Sequence, residues 1–403
     1  MKILILNCCY RDGSTGNIVG SIGDVLRAEG HEVLICYGLG NPYIDKYSKK
    51  VCTNLEHNLN ALMMRLSGIP FGGLHFSNIR IKKNIRTFKP DVVNIHCMNA
   101  STVNLYTLLA DLAKCDVKTV ISLHAEIYHT AGCEHAFDCM KWVEGCNHCS
   151  VYKNSSRSWF FDTSGLAYSK MKKSMQSFNA SNMIVTAVSP WLAERARLSS
   201  IMKGFRVVSV QNGVNTSVFH YLPNNGLIHK DNYQKVVLFV TAYLSSSESD
   251  IKGGRFLPII AKALPDYKFV AVYSRTVDDV PVMPDNVELW GRANNQKELA
   301  QLYSEADVTM ILSRRETFSM VVAESLCCGT PVVGFKAGGP ESIALPEYSE
   351  FVDYGDVPQI VRALQFDKIK ELEKNKISDR VSMAYSESMM AHRYCDLYKE
   401  LCI

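Results

Sequence analysis

A chain of 403 residues, 47% hydrophobic and 21% charged, belongs with folded globular proteins and is long enough for two domains of roughly 150 to 200 residues each. Its net charge of +4 comes with no nucleic-acid-binding motif, which sets that class of partner aside. The opening "MKILILN" is too short for a secretory leader and "VVLFVTAYL" falls far below the roughly 20 residues of a spanning helix, so a cytoplasmic chain is expected; its fourteen cysteines then read as thiols or metal ligands, not as a disulfide framework.

In chain order, "KILILN" reads as a strand, "CCYRDGSTG" as a loop, about Asn17 to Glu29 as a helix and "EVLIC" as a strand, the βαβ unit of a doubly wound sheet. Gly13, Gly16 and Gly20 do not keep the spacing G-x-G-x-x-G, so a dinucleotide site is not supported. Between Lys46 and Lys89 nine Lys/Arg face one acid, Glu56, around the apolar "NLNALMMRLSGIPFGGLHF". Two readings stay open for this segment: a peripheral contact with an anionic membrane surface, or a solvated basic face beside a mobile loop. "DVVNIH" and "KTVISLH" are buried-type strands ending in His96 and His124, at the carboxyl edge where open parallel sheets bind ligands. One such histidine is ordinarily a structural hydrogen-bonder; two together favour a site.

After His124 come Cys133, Cys139, Cys146 and Cys149, spaced C-x5-C-x6-C-x2-C. A closed tetrahedral zinc site, four unlinked thiols, or a redox pair all fit this spacing, and a bound metal would order the loop rather than do chemistry. "MIVTAVS" is the next strand, and Ser189 and Pro190 open a helix as N-cap and first residue. "RVVSVQNGV" runs into the turn-rich "QNGVNTSVFHYLPNNG". The expected organisation is a first domain over 1–218, a linker over 219–232, a second domain over 233–378, and a C-terminal helix within 379–403 that packs back on the first domain. In the second domain "KVVLFVTAY", "KFVAVYS", "VELWG" and "DVTMILS" restart the alternation.

"RRETFSMVVAESLCCGTPVVGFKAGGPESI" carries the densest chemistry. Glu316 falls in a loop and Glu324 inside a helix that Ser319 would cap and Gly329 would end. The helix N-terminus suits a phosphate, and an acid on either side of it suits hydroxyl groups: the outline of a nucleoside diphosphate sugar. The Gly338–Gly339 turn could bring backbone donors close to such a ligand, and Lys252 in "DIKGG" could neutralise a diphosphate as a point charge. Singly, each residue is as readily a surface acid or lysine; the combination is far more specific.

"ETFSMVVAESLCCGTPVVGFKAGGPESI" strongly resembles the Glu-x7-Glu motif of retaining glycosyltransferases of family 4, and "STGNIVGSIGDVLRAEGHEV", "SWFFDTS", "VTAVSPWLAERA" and "VQNGVNTSVF" extend the resemblance along the chain, with the cysteine segment similar to a bacterial exopolysaccharide and capsule branch. The resemblance implies an α/β chain of GT-B fold, two doubly wound Rossmann-like domains facing across a cleft. It implies that Glu324 holds the donor ribose, that Glu316 contacts the transferred sugar, and that Lys252 meets the diphosphate. Phe318, Ser319 and Met320 would meet sugar and phosphate, with Gly338 and Gly339 beside them; His124 would contact the donor sugar and Gly13 to Gly16 would lie over the phosphates. The implied donor is a UDP- or GDP-sugar, used without a catalytic divalent metal. The implied acceptor is a saccharide or lipid-linked oligosaccharide for surface polysaccharide, taken at the inner face of the cell membrane.

Two departures from the family pattern stand out. Where an arginine usually partners the lysine this chain has Ala242 and Tyr243, leaving Arg255, Arg314 or Arg315 to help; and His124 is followed by Ala125 where the branch usually has aspartate. They motivate two rivals, a catalytically silent nucleotide-sugar-binding protein and a nucleotide-sugar epimerase of the same fold.

Overall fold

Continuous runs of Val, Ile and Leu that are buried on both faces form parallel strands, because helices cover each side of such a sheet. The computed structural model describes residues 1–43, 45–98, 101–275, 277–365 and 373–403. It divides into two compact units, Met1–Gln211 with Met390–Ile403, and Asn212–Met389.

The first unit holds β1 (Lys2–Asn7), β2 (Glu32–Tyr37), β3 (Ser48–Lys50), β4 (Val92–Ile95), β5 (Lys118–Leu123), β6 (Met183–Ala187) and β7 (Arg206–Ser209) in the order β3-β2-β1-β4-β5-β6-β7. All pairings are parallel, with Ile3 opposite Val33 on one side and Val92 on the other. Helix α1 (Gly13–Ala28) lays Ile18, Val19, Ile22 and Leu26 on this sheet. It begins four residues earlier than the sequence suggests, so Gly13 and Gly16 lie in its first turn and not in a free loop. Helices α2 (Asn54–Ser67), α3 (Phe76–Phe88) and α4 (Leu105–Lys114) follow, α4 capped by Asn104, whose side chain accepts from the Thr107 N–H. Ser189 accepts from the Leu192 N–H and Pro190 opens the next helix, as expected from the sequence.

The second unit holds β8 (Lys235–Tyr243), β9 (Tyr267–Arg275), β10 (Val287–Gly291), β11 (Val308–Ile311), β12 (Val332–Phe335) and β13 (Ser349–Val352), again all parallel, in the order β10-β9-β8-β11-β12-β13. Phe239, Phe256, Phe269 and Phe335 fill its core with Leu257 and Ile260. In both sheets the strand order reverses beside the unit's first strand, at β1/β4 and at β8/β11, and the crevice beyond such a reversal is where this class of sheet takes ligands.

The single C-terminal helix expected from Asp379 to Leu401 is two helices, Lys374–Ser382 and Glu387–Cys402. Residues 385 to 387 leave the helical path to pair with Val214, whose N–H donates to the Tyr385 carbonyl and whose carbonyl accepts from the Glu387 N–H. In the first unit the last helix presents Tyr394 and Tyr398 to a buried polar ladder across β4, β5 and β6. Asn94 Nδ2 donates to the Tyr398 hydroxyl at 2.6 Å, Ser122 to Asn94 and Thr186 to Ser122, each at 2.9 Å. A ladder of this kind satisfies Asn94, Ser122 and Thr186 beneath the tyrosines.

Candidate functional site

In the second unit the segments that follow the adjacent strands β8, β11 and β12 carry Lys252, Glu316 and Gly338. The Lys252 turn is shaped by Asp250, which accepts from the backbone N–H groups of Lys252 and Gly254 at 2.8 and 3.1 Å. Gly253 has φ of +76°, and a Cβ there would stand 2.1 Å from the Leu312 carbonyl oxygen, so the turn lies flat on the end of β11 and only glycine fits. The Arg314 N–H donates to the Ile251 carbonyl and ties the two segments together. Lys252 Nζ thereby reaches Glu316 Oε1 at 2.8 Å, and Ser313 Oγ donates to the same oxygen at 2.7 Å.

Burial opposes ionisation of Glu316, but the Lys252 ammonium and the Ser313 hydroxyl outweigh it and hold the carboxyl below its usual range. The Glu316 charge in turn raises Lys252. Glu324 differs. It receives the Tyr303 hydroxyl at 3.2 Å, and burial dominates, pushing its carboxyl up to about 7. The two acids of the motif therefore have opposite characters, one a fixed carboxylate tied to an ammonium and the other a carboxyl poised near neutrality.

Between them, Phe318 is buried and Ser319 and Met320 begin the helix Met320–Cys327. Ser319 does not cap this helix. Its backbone is left-handed, φ +92°, and its hydroxyl faces the Glu316 carboxylate without ordinary hydrogen-bond geometry. Such a conformation costs a non-glycine residue about 1–3 kcal/mol and is characteristic of functional loops. The first turn carries no acid, which leaves the positive end of the helix to an anionic ligand. Gly329 has φ of +79° at the far end, as expected.

Gly338 and Gly339 meet the Glu316 loop directly. The Gly339 N–H donates to the Glu316 carbonyl at 2.8 Å, and a Cβ on Gly339 would stand 2.4 Å from the Thr317 carbonyl carbon. The Gly338 N–H is held by Glu341 Oε1 at 2.8 Å. The expectation that this turn offers backbone donors to a ligand is corrected here: both amides are taken, and the glycines serve close approach.

In the first unit His124 and His96 stand at the ends of β5 and β4, with His96 Nδ1 and His124 Nε2 2.9 Å apart. Burial lowers His124 to about 4, so it is neutral at physiological pH and acts as a hydrogen-bonding group rather than an acid. Gly16 lies over the preceding loop, its carbonyl accepting from the Arg11 N–H at 3.0 Å, while Gly13 has φ of +65° and open space around it. Of the four cysteines, Cys146 is raised by burial and by the charges of Cys133, Cys139 and Cys149, so the thiols share one neighbourhood. They are not at ligand spacing: among the described residues, only Glu29, His31 and Cys395 bring three ligand-type atoms within 4.8 Å of one another. Beneath the cysteine loop, buried Glu126 accepts from the Ala136 N–H at 2.6 Å and pairs with Arg195.

Sequence reading missed Ser313 and Tyr303, the hydroxyl partners of the two acids, because a lone serine or tyrosine carries no motif. It also missed the Glu29, His31 and Cys395 grouping, because Cys395 lies far along the chain from the other two and meets them only through packing of the last helix. Among the described residues no helix is long and apolar enough to cross a membrane.

Comparison with known proteins gives partial matches in sequence and full-length matches in fold. Residues 283–384, about a quarter of the chain and the stretch holding Glu316, Glu324 and Gly338, match the family model "Glycosyl transferases group 1". N-acetyl-alpha-D-glucosaminyl L-malate synthase of Bacillus anthracis is 28% identical over 119 residues, 29% of this chain and 30% of that protein. D-inositol 3-phosphate glycosyltransferase of Segniliparus rotundus is 43% identical over 61 residues, 15% of this chain and 13% of that one. The chain thus matches less than a third of the length of these relatives. Solved structures cover far more of it. Sucrose-phosphate synthase of Thermosynechococcus elongatus matches 100% of this chain and 99% of its own at a TM-score of 0.70 and 15% identity, and HepE of Anabaena in complex with UDP-glucose matches 99% of each at 0.62 and 14%. With two parallel α/β units matched along their full length by these structures, the chain has the GT-B fold of glycosyltransferases.

Proposed function

We propose that the protein is a retaining glycosyltransferase that moves a hexose-type sugar from a UDP- or GDP-sugar to a saccharide acceptor, lipid-linked and destined for surface polysaccharide. The observation that carries this reading is the Lys252–Glu316 pair at the β8/β11 reversal, with Glu324 and an acid-free helix end beside it. Lys252 and the helix end supply positive charge where a diphosphate leaves, an electrostatic contribution of the oxyanion-hole kind. Glu324 is assigned to the ribose hydroxyls, and Glu316 to the transferred sugar, where a carboxylate favours the oxocarbenium-like state. In the first unit His124, neutral and half-buried, is assigned as a hydrogen-bonding contact to the sugar, and Gly13 and Gly16 as phosphate-side backbone.

The bond between the anomeric carbon and the diphosphate oxygen breaks, the acceptor oxygen bonds to the same face, and its proton passes to the departing diphosphate. A structural zinc at Cys133, Cys139, Cys146 and Cys149 belongs to the same proposal. Cys133 and Cys146, whose thiols are raised by burial and by the neighbouring thiol charges, would gain from a shared dication, although binding must draw the sulfurs together. A second reading of the acceptor has support in the names of the partial relatives, which specify L-malate and inositol 3-phosphate. Incubation with donor and extracted lipid-linked oligosaccharide, against malate and inositol phosphate, distinguishes them. An α-linked product from an α-linked donor, read by the anomeric proton in NMR, upholds retention, and a β-linked product refutes it.

A further inference from the structure

Helix α2 is inside out. Its buried residues are polar: Glu56, which accepts from the Ser77 N–H at 2.7 Å and pairs with Arg80 at 2.8 Å, and Asn60, which accepts from the Leu74 N–H at 2.7 Å and donates to the Ser101 carbonyl. These bonds fix the rotation of the helix and turn its apolar residues outward. Leu55, Leu59, Leu62, Met63 and Leu66, spaced as one helical stripe, are 41% to 71% exposed. An ordinary surface helix does the reverse.

The stripe does not end with the helix. The Trp159 N–H donates to the Arg65 carbonyl at 2.9 Å, the Arg65 guanidinium lies 5.8 Å from the Trp159 ring centroid, and Tyr152 and Thr163 hydroxyls both donate to the Gly68 carbonyl. This clamp holds Trp159, Phe160 and Phe161, all more than half exposed, against the C-terminal end of α2. On its other side α3, joined to α2 through Glu56, exposes Phe76 and Ile79 in line with Lys83 and Arg86. So many exposed large apolar side chains on neighbouring segments mark an interaction site.

The charge around it selects the partner. Glu56 is the one acid between Lys46 and Lys89, and it is buried against Arg80; exposed Lys83, Arg86, Lys153 and Arg157 stand on or beside the apolar stretch. Two copies of this face would bring like charges together, whereas leucines and an aromatic triplet flanked by cations, with neighbouring Asp162 taken up by the Cys149 and Ser164 N–H groups, complement the acyl boundary and phosphates of an anionic bilayer. We propose that α2 and the Trp159–Phe161 loop form a membrane-docking face for anionic lipid. The inference rests on the lipid-linked acceptor proposed above for its role and on the exposed face for its existence.

The test is cosedimentation of the purified full chain with phosphatidylcholine vesicles and with vesicles containing phosphatidylglycerol, at low and high salt. Binding should be about tenfold tighter or more on the anionic vesicles and weaken with salt. The double variants Leu59→Ser/Leu62→Ser and Phe160→Ser/Phe161→Ser should lose it, and Lys83→Glu/Arg86→Glu should lose the preference for anionic lipid, with vesicle-free donor hydrolysis unchanged in all three. No binding, equal binding to both vesicles, or a wild-type dimer that Leu59→Ser/Leu62→Ser splits would overturn the proposal. Donor consumption without vesicle binding would overturn this face alone; vesicle binding without consumption of any donor would uphold the face and sink the transferase reading.

Discussion

Replacing Lys252 by methionine keeps the length of the side chain and removes its charge. In the free protein this strands Glu316, whose carboxylate is held at 2.8 Å by the lysine. Breaking one partner of a buried pair costs about 3–5 kcal/mol, and because the Lys252 and Glu316 side chains are 29% and 13% exposed, solvent screening brings the loss nearer 2–3 kcal/mol. For a unit of this size that is a fall of roughly 5–10 °C in melting temperature. The loss must depend on pH in one direction. The folded Glu316 carboxyl is depressed, so its contribution is present above the ordinary carboxylate value of 4.5 and disappears as pH falls through the folded value. Melting curves of wild type and Lys252→Met should therefore be far apart at pH 7 to 8 and converge below pH 4.5. If Lys252 meets the diphosphate as proposed, catalysis should suffer separately, by about 10²–10³-fold in kcat, through loss of that charge. A melting gap that is flat with pH, or a rate loss under about tenfold, would refute the reasoning.

Glu324 runs the other way: its folded carboxyl is raised to about 7, so its stabilising effect is full below 4.5 and is lost as pH rises through 7. Glu324→Gln should melt higher than wild type at pH 8 and alike at pH 4, and calorimetry should find that its nucleotide affinity no longer strengthens between pH 6 and 8. Gly253→Ala forces a Cβ to 2.1 Å from a carbonyl oxygen at φ +76° and should cost about 2–4 kcal/mol, read by denaturant unfolding; an unchanged midpoint would show the turn can move. Elemental analysis should find about one zinc per chain, lost in Cys146→Ser and Cys149→Ser and kept in Cys115→Ser, while equal metal in all three would remove the zinc proposal.

Most strands were legible because they are apolar runs, and the two that were not, β3 and β13, are short edge strands, "SKK" and "SEFV", with too few consecutive apolar residues to show such a run. The residues after β8, β11 and β12 were legible as chemistry; that Lys252 and Glu316 touch follows from strand order, which sequence periodicity does not encode. Ser319 misled because serine before an apolar run is the ordinary signal for a cap, and only tertiary packing puts it at φ +92°. The Gly338–Gly339 turn misled in the same way, since the Glu341 carboxylate and not a ligand takes the Gly338 amide. Helix α2 was the largest omission: its leucines do keep helical spacing, but that the stripe faces outward is set by the partners of Glu56 and Asn60 on other segments, which periodicity does not encode.

The most direct test of the central claim is nucleoside diphosphate release by the purified protein against a panel of UDP-, GDP- and ADP-sugars, with Glu316→Ala beside it and lipid-linked acceptor added in a second series. The account predicts consumption of one UDP- or GDP-sugar, accelerated by acceptor and lost in Glu316→Ala. Release that persists in Glu316→Ala would contradict the part assigned to Glu316, and tight nucleotide binding with no donor consumed even when acceptor is present would contradict the account as a whole and leave a nucleotide-sugar-binding protein in its place.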